Sequence, residues 1–448
     1  MIVAHAIGGI KDLPIPGLFF LYGGAAVLAL SFIALGVLWT DPHLEEADQG
    51  SPLQPPILSR ILLSRELRIV LGFAGTATFA LALATAFFGT LDWDSNLTPT
   101  LVWVIFWLAL VWLSVLIGNV WSVISPFSAV ADLTAWLTRG WHWRTRPYPW
   151  RLGRWPGAVP LFSFAAMELV YPHPSHPRTL GVAMCIYTVI TFGGMLVYGR
   201  RAWLDNGEAF NVYFGLFSRI SPFTVYEEDG EREILVRPPL VSLANWAPNP
   251  GSLAFVSVML GTVVYDGISR TTAFRSFIGE NFSSDTVQRF VELGFMVATV
   301  VAVATAYTIA VRLARVRTDV DPQTPAVLSP YFLSSLVPIA LVYSIAHYFS
   351  LLVGQGQLIW ALISDPFGNG SNFFGTADFE PNLKPLTTHE IWYIQVAALV
   401  IGHMLGIVLA HDRAVSLYEG KAALRSQYAM LMLMIVFTVG GLYLLSRP

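Results

Sequence analysis

Residues 328–353 read LSPYFLSSLVPIALVYSIAHYFSLLV, a run without a single Lys, Arg, Asp or Glu. A helix rises about 1.5 Å per residue, so about 20 apolar residues cross the roughly 30 Å of bilayer hydrocarbon. Runs of this kind recur along the chain, the fourth of them being the shortest. They are Leu18–Trp39, Ile69–Thr90, Leu101–Ile124, Pro156–Tyr171, Leu180–Tyr198, Pro250–Ser269, Val291–Val311, Leu328–Val353, His389–Ala410 and Tyr428–Leu445. The pattern predicts an all-α, polytopic transmembrane helix bundle of about ten spans.

The composition supports a chain whose main partner is the lipid bilayer. Hydrophobic residues make up 55% of it and charged residues 12%, with a mean hydropathy of +0.59. A soluble domain carries about 25% charged residues, twice this share. With a net charge of −3, the chain lacks the excess positive charge that is typical of nucleic-acid-binding proteins. We therefore predict a membrane protein that binds no nucleic acid.

Several cofactors are excluded by the residues present. The single cysteine, Cys185, rules out an iron–sulfur cluster built by this chain, and no P-loop indicates a nucleotide. A haem held by two histidines needs both at one depth. His347 and His403 lie at depths that differ by roughly 12 Å at 1.5 Å per residue, so they cannot share an iron.

Lys and Arg are concentrated in alternate loops, which predicts the orientation of the spans. Ten crossings with both termini outside the cytoplasm place nearly all of these cations on the cytoplasmic side. We treat residues 1–448 as one integral membrane domain without separate soluble domains. Its predicted subdivisions are an outer N-terminal segment (1–17), two cytoplasmic linkers (41–68 and 224–247) and a long outer loop (354–388).

Proline-containing breaks form a weak internal repeat. Ser125-Pro126, Ser221-Pro222 and Asp365-Pro366 should each end or break a helix, because proline lacks a donor and disfavours helix before it. One interpretation is paired discontinuous helices, as in transporters. The other is ordinary helix termination at the membrane interface. The stretch Glu208–Ile220 is too short and too polar to cross, and we interpret it as an interfacial or re-entrant helix.

Ionisable residues inside spans are costly and are therefore candidates for function. Asp266 and His347 lie within predicted spans, toward the outer side, and His5 and Asp12 lie on the outer N-terminal segment. Imidazole and carboxylate ligands without a thiolate are typical of Zn or Mn sites. The same groups can also act as general acids and bases. For the remaining histidines we favour a structural interpretation, in which each side chain is either exposed to water or buried with its hydrogen bonds satisfied. These histidines include His173, His176, His389 and His403.

Short motifs along most of the chain resemble a group of actinobacterial polytopic membrane proteins commonly labelled fenitrothion hydrolase. The motifs are Ala4-His5 to Pro14-Ile-Pro16, Trp203-Leu-Asp-Asn-Gly207-Glu208-Ala-Phe210, Leu216-Phe-Ser-Arg219-Ile-Ser-Pro222, Tyr265-Asp266-Gly267, Ala346-His347-Tyr348, Ser364-Asp365-Pro366-Phe367-Gly368 and Gly402-His403. The resemblance implies a bacterial cytoplasmic-membrane protein that hydrolyses organophosphate-type esters.

Two functions remain open at this stage. The first is the hydrolysis of a small-molecule substrate that the resemblance implies, assisted by a metal, for which the ionisable residues within spans, Asp266 and His347, would be the catalytic residues. His5, Asp12, Asp266 and His347 would then hold a divalent ion, Zn or Mn, which lowers the pKa of a bound water toward about 7. The alternative is a secondary transporter or permease for a small ion or metabolite that uses the proline-broken helices. The sequence leaves the substrate and the oligomeric state undetermined.

Overall fold

The computed structural model describes residues 17–47, 50–138, 145–228, 231–315, 331–382, 385–418 and 420–446. Within them the chain forms an α-helical bundle and a small sheet. The helices are α1 (Gly17–Leu38), α2 (Pro56–Leu62), α3 (Arg65–Phe88), α4 (Leu97–Thr100) with a π-helix (Leu101–Ala109) and α5 (Leu110–Ile117), α6 (Trp121–Ile124), α7 (Pro126–Leu137), α8 (Trp155–Leu169), α9 (Pro177–Tyr198), α10 (Arg200–Asn206), α11 (Ala209–Ser218), α12 (Val241–Ala244), α13 (Ser252–Ser269), α14 (Thr272–Asn281), α15 (Asp285–Arg315), α16 (Leu336–Gln355, after a 3₁₀ turn Leu333–Ser335), α17 (Ile359–Ser364, after a 3₁₀ turn Gly356–Leu358), α18 (Thr388–Leu417), α19 (Gly420–Ser426) and α20 (Tyr428–Leu445).

Nine helical stretches among the described residues are long and apolar enough to cross a bilayer. They are Phe19–Leu38, Arg65–Phe88, Leu97–Ile117, Pro177–Tyr198, Ser252–Ser269, Asp285–Ala314, Leu333–Ser364, Thr388–Leu417 and Gly420–Leu445. Large apolar side chains point outward from them, such as Phe73 at 74% and Val189 at 72% exposure. Such side chains are stable only against lipid or a partner. The predicted all-α polytopic fold is confirmed.

The bundle has two distinct ends. At the loop end, the backbone N–H of Thr90 donates to the carbonyl of Phe367 (2.8 Å), joining two connecting loops. At the sheet end, the N–H of Ile234 in the small sheet donates to Ser59 Oγ (2.8 Å). The start of α1 lies at the loop end, since Phe20 packs edge-on against Trp392 in the first turn of α18. The end of α20 lies there too, beside Gly267.

The fourth predicted span is helix α8, and it is shorter than the nine. Its 15 residues make a rod of about 22 Å at 1.5 Å per residue, less than the roughly 30 Å of hydrocarbon. It nevertheless connects the two ends. The N–H of Arg154, at its start, donates to the Pro250 carbonyl at the sheet end (2.7 Å). Glu168, in its last turn, reaches Tyr348 toward the loop end.

The third predicted span, Leu101–Ile124, is interrupted inside the bundle. Helix α5 ends at Gly118, whose φ of +102° is rarely adopted by residues with a side chain. A single turn, α6, follows, and Pro126 then starts α7. The Ile124 carbonyl lies against Gly75, near the middle of α3. This proline site is therefore a helix break within the bundle, whereas those at Pro222 and Pro366 terminate helices near its ends.

Helices α10 and α11 form a re-entrant hairpin. After Gly199, α10 turns back along α9, and Trp203 stacks on Tyr198 (centroids 6.1 Å apart). Helix α11 then returns to the sheet end beside the π-helix, with Tyr213 stacked on Trp107 (4.8 Å). The tip of the hairpin, Gly207-Glu208, lies among residues from the middle of the spans. The stretch Glu208–Ile220, which is too short to cross the bilayer, is thus buried in protein. There its backbone N–H and C=O groups can form hydrogen bonds without water.

The predicted linker 224–247 is not irregular. It contains strands β2 (Phe223–Glu228) and β3 (Glu231–Val236), which pair antiparallel and add β1 (Ser51–Pro52) in the order β1-β3-β2. Two runs rich in β-branched and aromatic residues, Phe223–Tyr226 and Ile234–Val236, lie on either side of the Asp-Gly dipeptide at 229–230. That dipeptide between two such runs is typical of a hairpin turn.

The predicted outer loop 354–388 is shorter than expected. The helix does not end at Val353 but continues through Gly356–Leu358 into α17, which ends at Ser364. Gly356 lies within this continuous helix, near Val104 of the π-helix.

Candidate functional site: a buried ionisable cluster

Asp266 and His347 contact each other inside the bundle. Asp266 lies in the last turn of α13, and His347 lies in the middle of the long apolar helix formed by α16 and α17. Nε2 of His347 meets Oδ2 of Asp266. Asp266 is 1% exposed and His347 is 12% exposed, so the contact is shielded from bulk solvent. Two residues that the sequence predicts as candidates on separate spans therefore form one pair.

Three further side chains complete what we call the Asp266 cluster: Arg270, Tyr348 and Glu168. Nε of Arg270, one helical turn after Asp266, donates to Oδ1 of Asp266 at 2.7 Å. The Tyr348 hydroxyl lies 3.5 Å from Oδ2 of Asp266 and is hydrogen-bonded to Glu168 of α8. Three helices thus contribute to one network, and every charged member contacts an oppositely charged or hydrogen-bonding group.

The cluster approaches the surface at the loop end through Arg270. The Arg270 side chain is 32% exposed and follows the last residue of α13 at the loop end. Helix α14 begins just beyond it and packs Phe274 against Tyr265 (6.1 Å between ring centroids). Arg270 is thus a partly exposed member of the cluster at this end of the bundle.

The described residues do not by themselves make a metal site. Among them, no three His, Cys, Asp or Glu side chains are arranged so that they could hold a metal ion together. Oδ1 of Asp266 is engaged by the Arg270 guanidinium, whose positive charge opposes a divalent ion at the same oxygen. The two other predicted ligands, His5 and Asp12, lie outside the described residues. A metal at this place stays a prediction that depends on them.

The other histidines have local, structural partners. Nδ1 of His403 bonds the Leu399 carbonyl in its own helix (2.7 Å), and its ring packs on Tyr343, not on His347. His411 bonds Gln427 and the Trp39 carbonyl, and the neighbouring Asp412 accepts from the loop after α1. His173 and His389 are exposed. These residues anchor helices and loops and contribute nothing to the Asp266 cluster.

Glu208 is an important buried group that the search for ionisable residues in spans missed, because it lies between spans. It is 1% exposed at the hairpin tip and caps α11. Oε1 accepts from Tyr187 and from the N–H of Phe210 (3.1 Å); Oε2 accepts from Trp121 (3.1 Å) and from the N–H of Asn211 (2.7 Å). The Gly207-Glu208 pair before an apolar helix is the signal that could have identified it.

The fold and the composition together define a multi-pass integral membrane protein in contact with the lipid bilayer. Comparison with protein-family models, with curated proteins and with solved structures finds no match to this chain. A more particular function therefore rests on the geometry of the Asp266 cluster.

Proposed function

We propose that this chain is a secondary transporter that couples movement of a small solute to protons, with the Asp266 cluster as its proton-binding group. The observation that carries the proposal is that buried Asp266 contacts His347 and Arg270 at once. Ionisable networks within a helix bundle are typical of proton relays and ion pathways. On the predicted orientation, the cluster faces the extracytoplasmic side and the sheet end faces the cytoplasm.

The charges of the cluster explain how one proton could act as a switch. Two carboxylates, Asp266 and Glu168, face one guanidinium, Arg270, so the cluster has one excess negative charge while His347 is neutral. A proton on His347 cancels that charge. A neutral cluster is far cheaper to enclose in a low-dielectric bundle than a charged one, so protonation would favour a closed or rearranged state.

The interrupted third span and the re-entrant hairpin support transport as well. Secondary transporters place discontinuous helices around the substrate path, since broken helix ends expose backbone groups that can bind ions. Here α5 ends at Gly118, and α11 begins at mid-depth behind Glu208. The nine-residue π-helix Leu101–Ala109, a rare conformation found often at functional sites, leads into α5 and packs against α11 through Trp107 and Tyr213.

The test uses purified protein in liposomes on a solid-supported membrane, with a pH jump followed by a panel of small solutes. We expect a transient current from wild type, and a solute-dependent current for the true substrate class. His347→Gln and Asp266→Asn should abolish both currents. His403→Gln, a buried histidine outside the cluster, should retain them. Currents in His347→Gln as large as those of wild type would reject the proposal, and so would the absence of any proton movement in wild type.

Hydrolysis is a second candidate, favoured by the His347–Asp266 contact itself. A carboxylate that holds an imidazole is the arrangement that orients a general base, and Arg270 nearby is suited to a phosphoryl oxygen. Phosphotriester hydrolysis should then be measurable in membranes containing wild type, and lost in His347→Ala and Asp266→Asn. Equal rates in all three membranes would remove these residues from any hydrolytic role.

A further inference from the structure

Three arginines converge at the sheet end, far along the chain from one another. Arg154 precedes α8, Arg219 follows α11 and Arg237 follows β3. Two of them, Arg154 and Arg219, contact the short segment 240–246. Arg219 donates to the Ser242 carbonyl (3.2 Å), and the Arg154 guanidinium lies over the Trp246 ring (5.0 Å from its centroid). The N–H of Arg237 donates to the Pro222 carbonyl (2.9 Å), which brings it beside the end of α11.

Arg154 and Arg237 carry buried donors without acceptors in the described part of the chain. They are Nε and Nη1 of Arg154 and Nε of Arg237, and Trp246 adds the indole Nε1 in the same segment. Buried N–H groups are almost always paired, because an unpaired donor costs about 1–3 kcal/mol. Several such donors within one cluster indicate that an acceptor belongs there.

The electrostatics of the cluster point to an anion. Burial, and then the positive charge of Arg219, lower the pKa of Arg154 to about 10. Burial and then Arg237 likewise lower the pKa of Arg219. Only one described carboxylate, Asp205, acts on Arg154, and it is already 3.9 Å from Arg201. Arg219 therefore repels both Arg154 and Arg237, and among the described residues Asp205 compensates this positive charge only at Arg154.

We propose that Arg154, Arg219 and Arg237 form a binding site for a phosphate group at the sheet end. Guanidinium forks match the geometry of phosphate oxygens, and partly desolvated arginines bind them strongly. All three side chains are only partly exposed, so the site is open to solvent or to the polar zone of the bilayer. The phosphate could belong to a soluble phosphate compound or to an anionic lipid headgroup. This site lies at the opposite end of the bundle from Asp266 and is independent of the transport proposal.

The experiment follows thermal unfolding of the full chain in maltoside detergent at constant ionic strength. Inorganic phosphate is titrated in one arm, and phosphatidylglycerol is compared with a diacylglycerol of the same acyl chains in another. We expect at least one phosphate ligand to raise the Tm of wild type in a saturable way, with no effect of diacylglycerol. Stabilisation by inorganic phosphate assigns a soluble compound, and stabilisation by phosphatidylglycerol alone assigns a lipid headgroup.

The variants decide whether the arginines are responsible. Arg219→Gln/Arg237→Gln should weaken the apparent Kd at least about tenfold, since each lost charge-assisted hydrogen bond is worth more than that factor. Arg60→Gln, an exposed arginine at the same end, should respond like wild type. If the double variant does not purify, Arg237→Gln alone is used. No stabilisation of wild type by either phosphate ligand, or an unchanged Kd in the arginine variant, would overturn the proposal.

Discussion

Arg270 and His347 hold opposite oxygens of the same carboxylate: Nε of Arg270 lies 2.7 Å from Oδ1 of Asp266, and Nε2 of His347 meets Oδ2. One partner is a guanidinium, which is permanently charged, and the other is an imidazole, which can accept or release a proton. In the proposed transporter, the contact between His347 and Asp266 is therefore the switch.

The charge of Asp266 should matter for stability as well as for function. Asp266→Asn keeps the shape of the side chain but leaves Arg270 without its buried counter-ion. We expect a loss of about 2 kcal/mol, less than the roughly 3–5 of a fully buried pair because Arg270 is 32% exposed. Asp132→Asn, in an exposed pair with Arg200, should cost about 0–1 kcal/mol. Denaturant unfolding of both variants checks this, and similar losses would argue against a buried pair.

Glu208 should be essential for the re-entrant hairpin. Glu208→Ala would leave two backbone N–H groups, the Trp121 indole and the Tyr187 hydroxyl without their acceptor. We expect a loss of at least about 3 kcal/mol, since each unsatisfied buried donor costs about 1–3 kcal/mol. Glu227→Ala, on an exposed strand residue, is the control and should be nearly neutral. Equal unfolding midpoints for the two variants would contradict the buried position of Glu208.

Two adjacent glycines in α9 offer a matched test of hairpin packing. A Cβ on Gly194 would overlap the Trp203 ring of α10, whereas one on Gly193 meets no heavy atom within 4 Å. Gly194→Ala should therefore destabilise the protein by about 1–3 kcal/mol through overpacking. Gly193→Ala should be neutral or stabilising by up to about 1 kcal/mol, because alanine favours helix. Thermal unfolding of the two variants measures the difference. A larger loss of stability in Gly193→Ala than in Gly194→Ala would show that Trp203 does not pack against Gly194.

Asp412 should fasten the loop after α1 to α18. Its carboxylate accepts from the Trp39 indole (2.9 Å) and from the N–H groups of His43, Leu44 and Glu45. Asp412→Asn puts a donor where acceptors are needed, so we expect several-fold faster protease cleavage within residues 39–47. Asp41→Asn, an exposed residue of the same loop, serves as the control. Unchanged cleavage in Asp412→Asn would show that other contacts hold this loop.

Some local features were readable because their causes are local. Pro126 starts α7, since proline lacks an N–H and restricts the residue before it. The Asp-Gly dipeptide at 229–230 is a similar local signal for the strand pair within the predicted linker 224–247. The sequence predicts a span that ends at Val353, whereas the helix continues to Ser364. The residues after Val353 lack the apolar run of a span, so contacts elsewhere in the bundle decide where this helix ends.

The amino-acid sequence alone determined that this is a polytopic helical membrane protein, because bilayer thickness sets a minimum length for each apolar run. It also singled out Asp266 and His347, because charge within such a run is costly. Only the tertiary structure decided that these two residues meet, that Glu208 is buried in a hairpin and that three arginines distant in the chain lie together at the sheet end. Each of these facts depends on the rotation and depth of helices relative to one another, and packing between side chains far apart in the chain sets both.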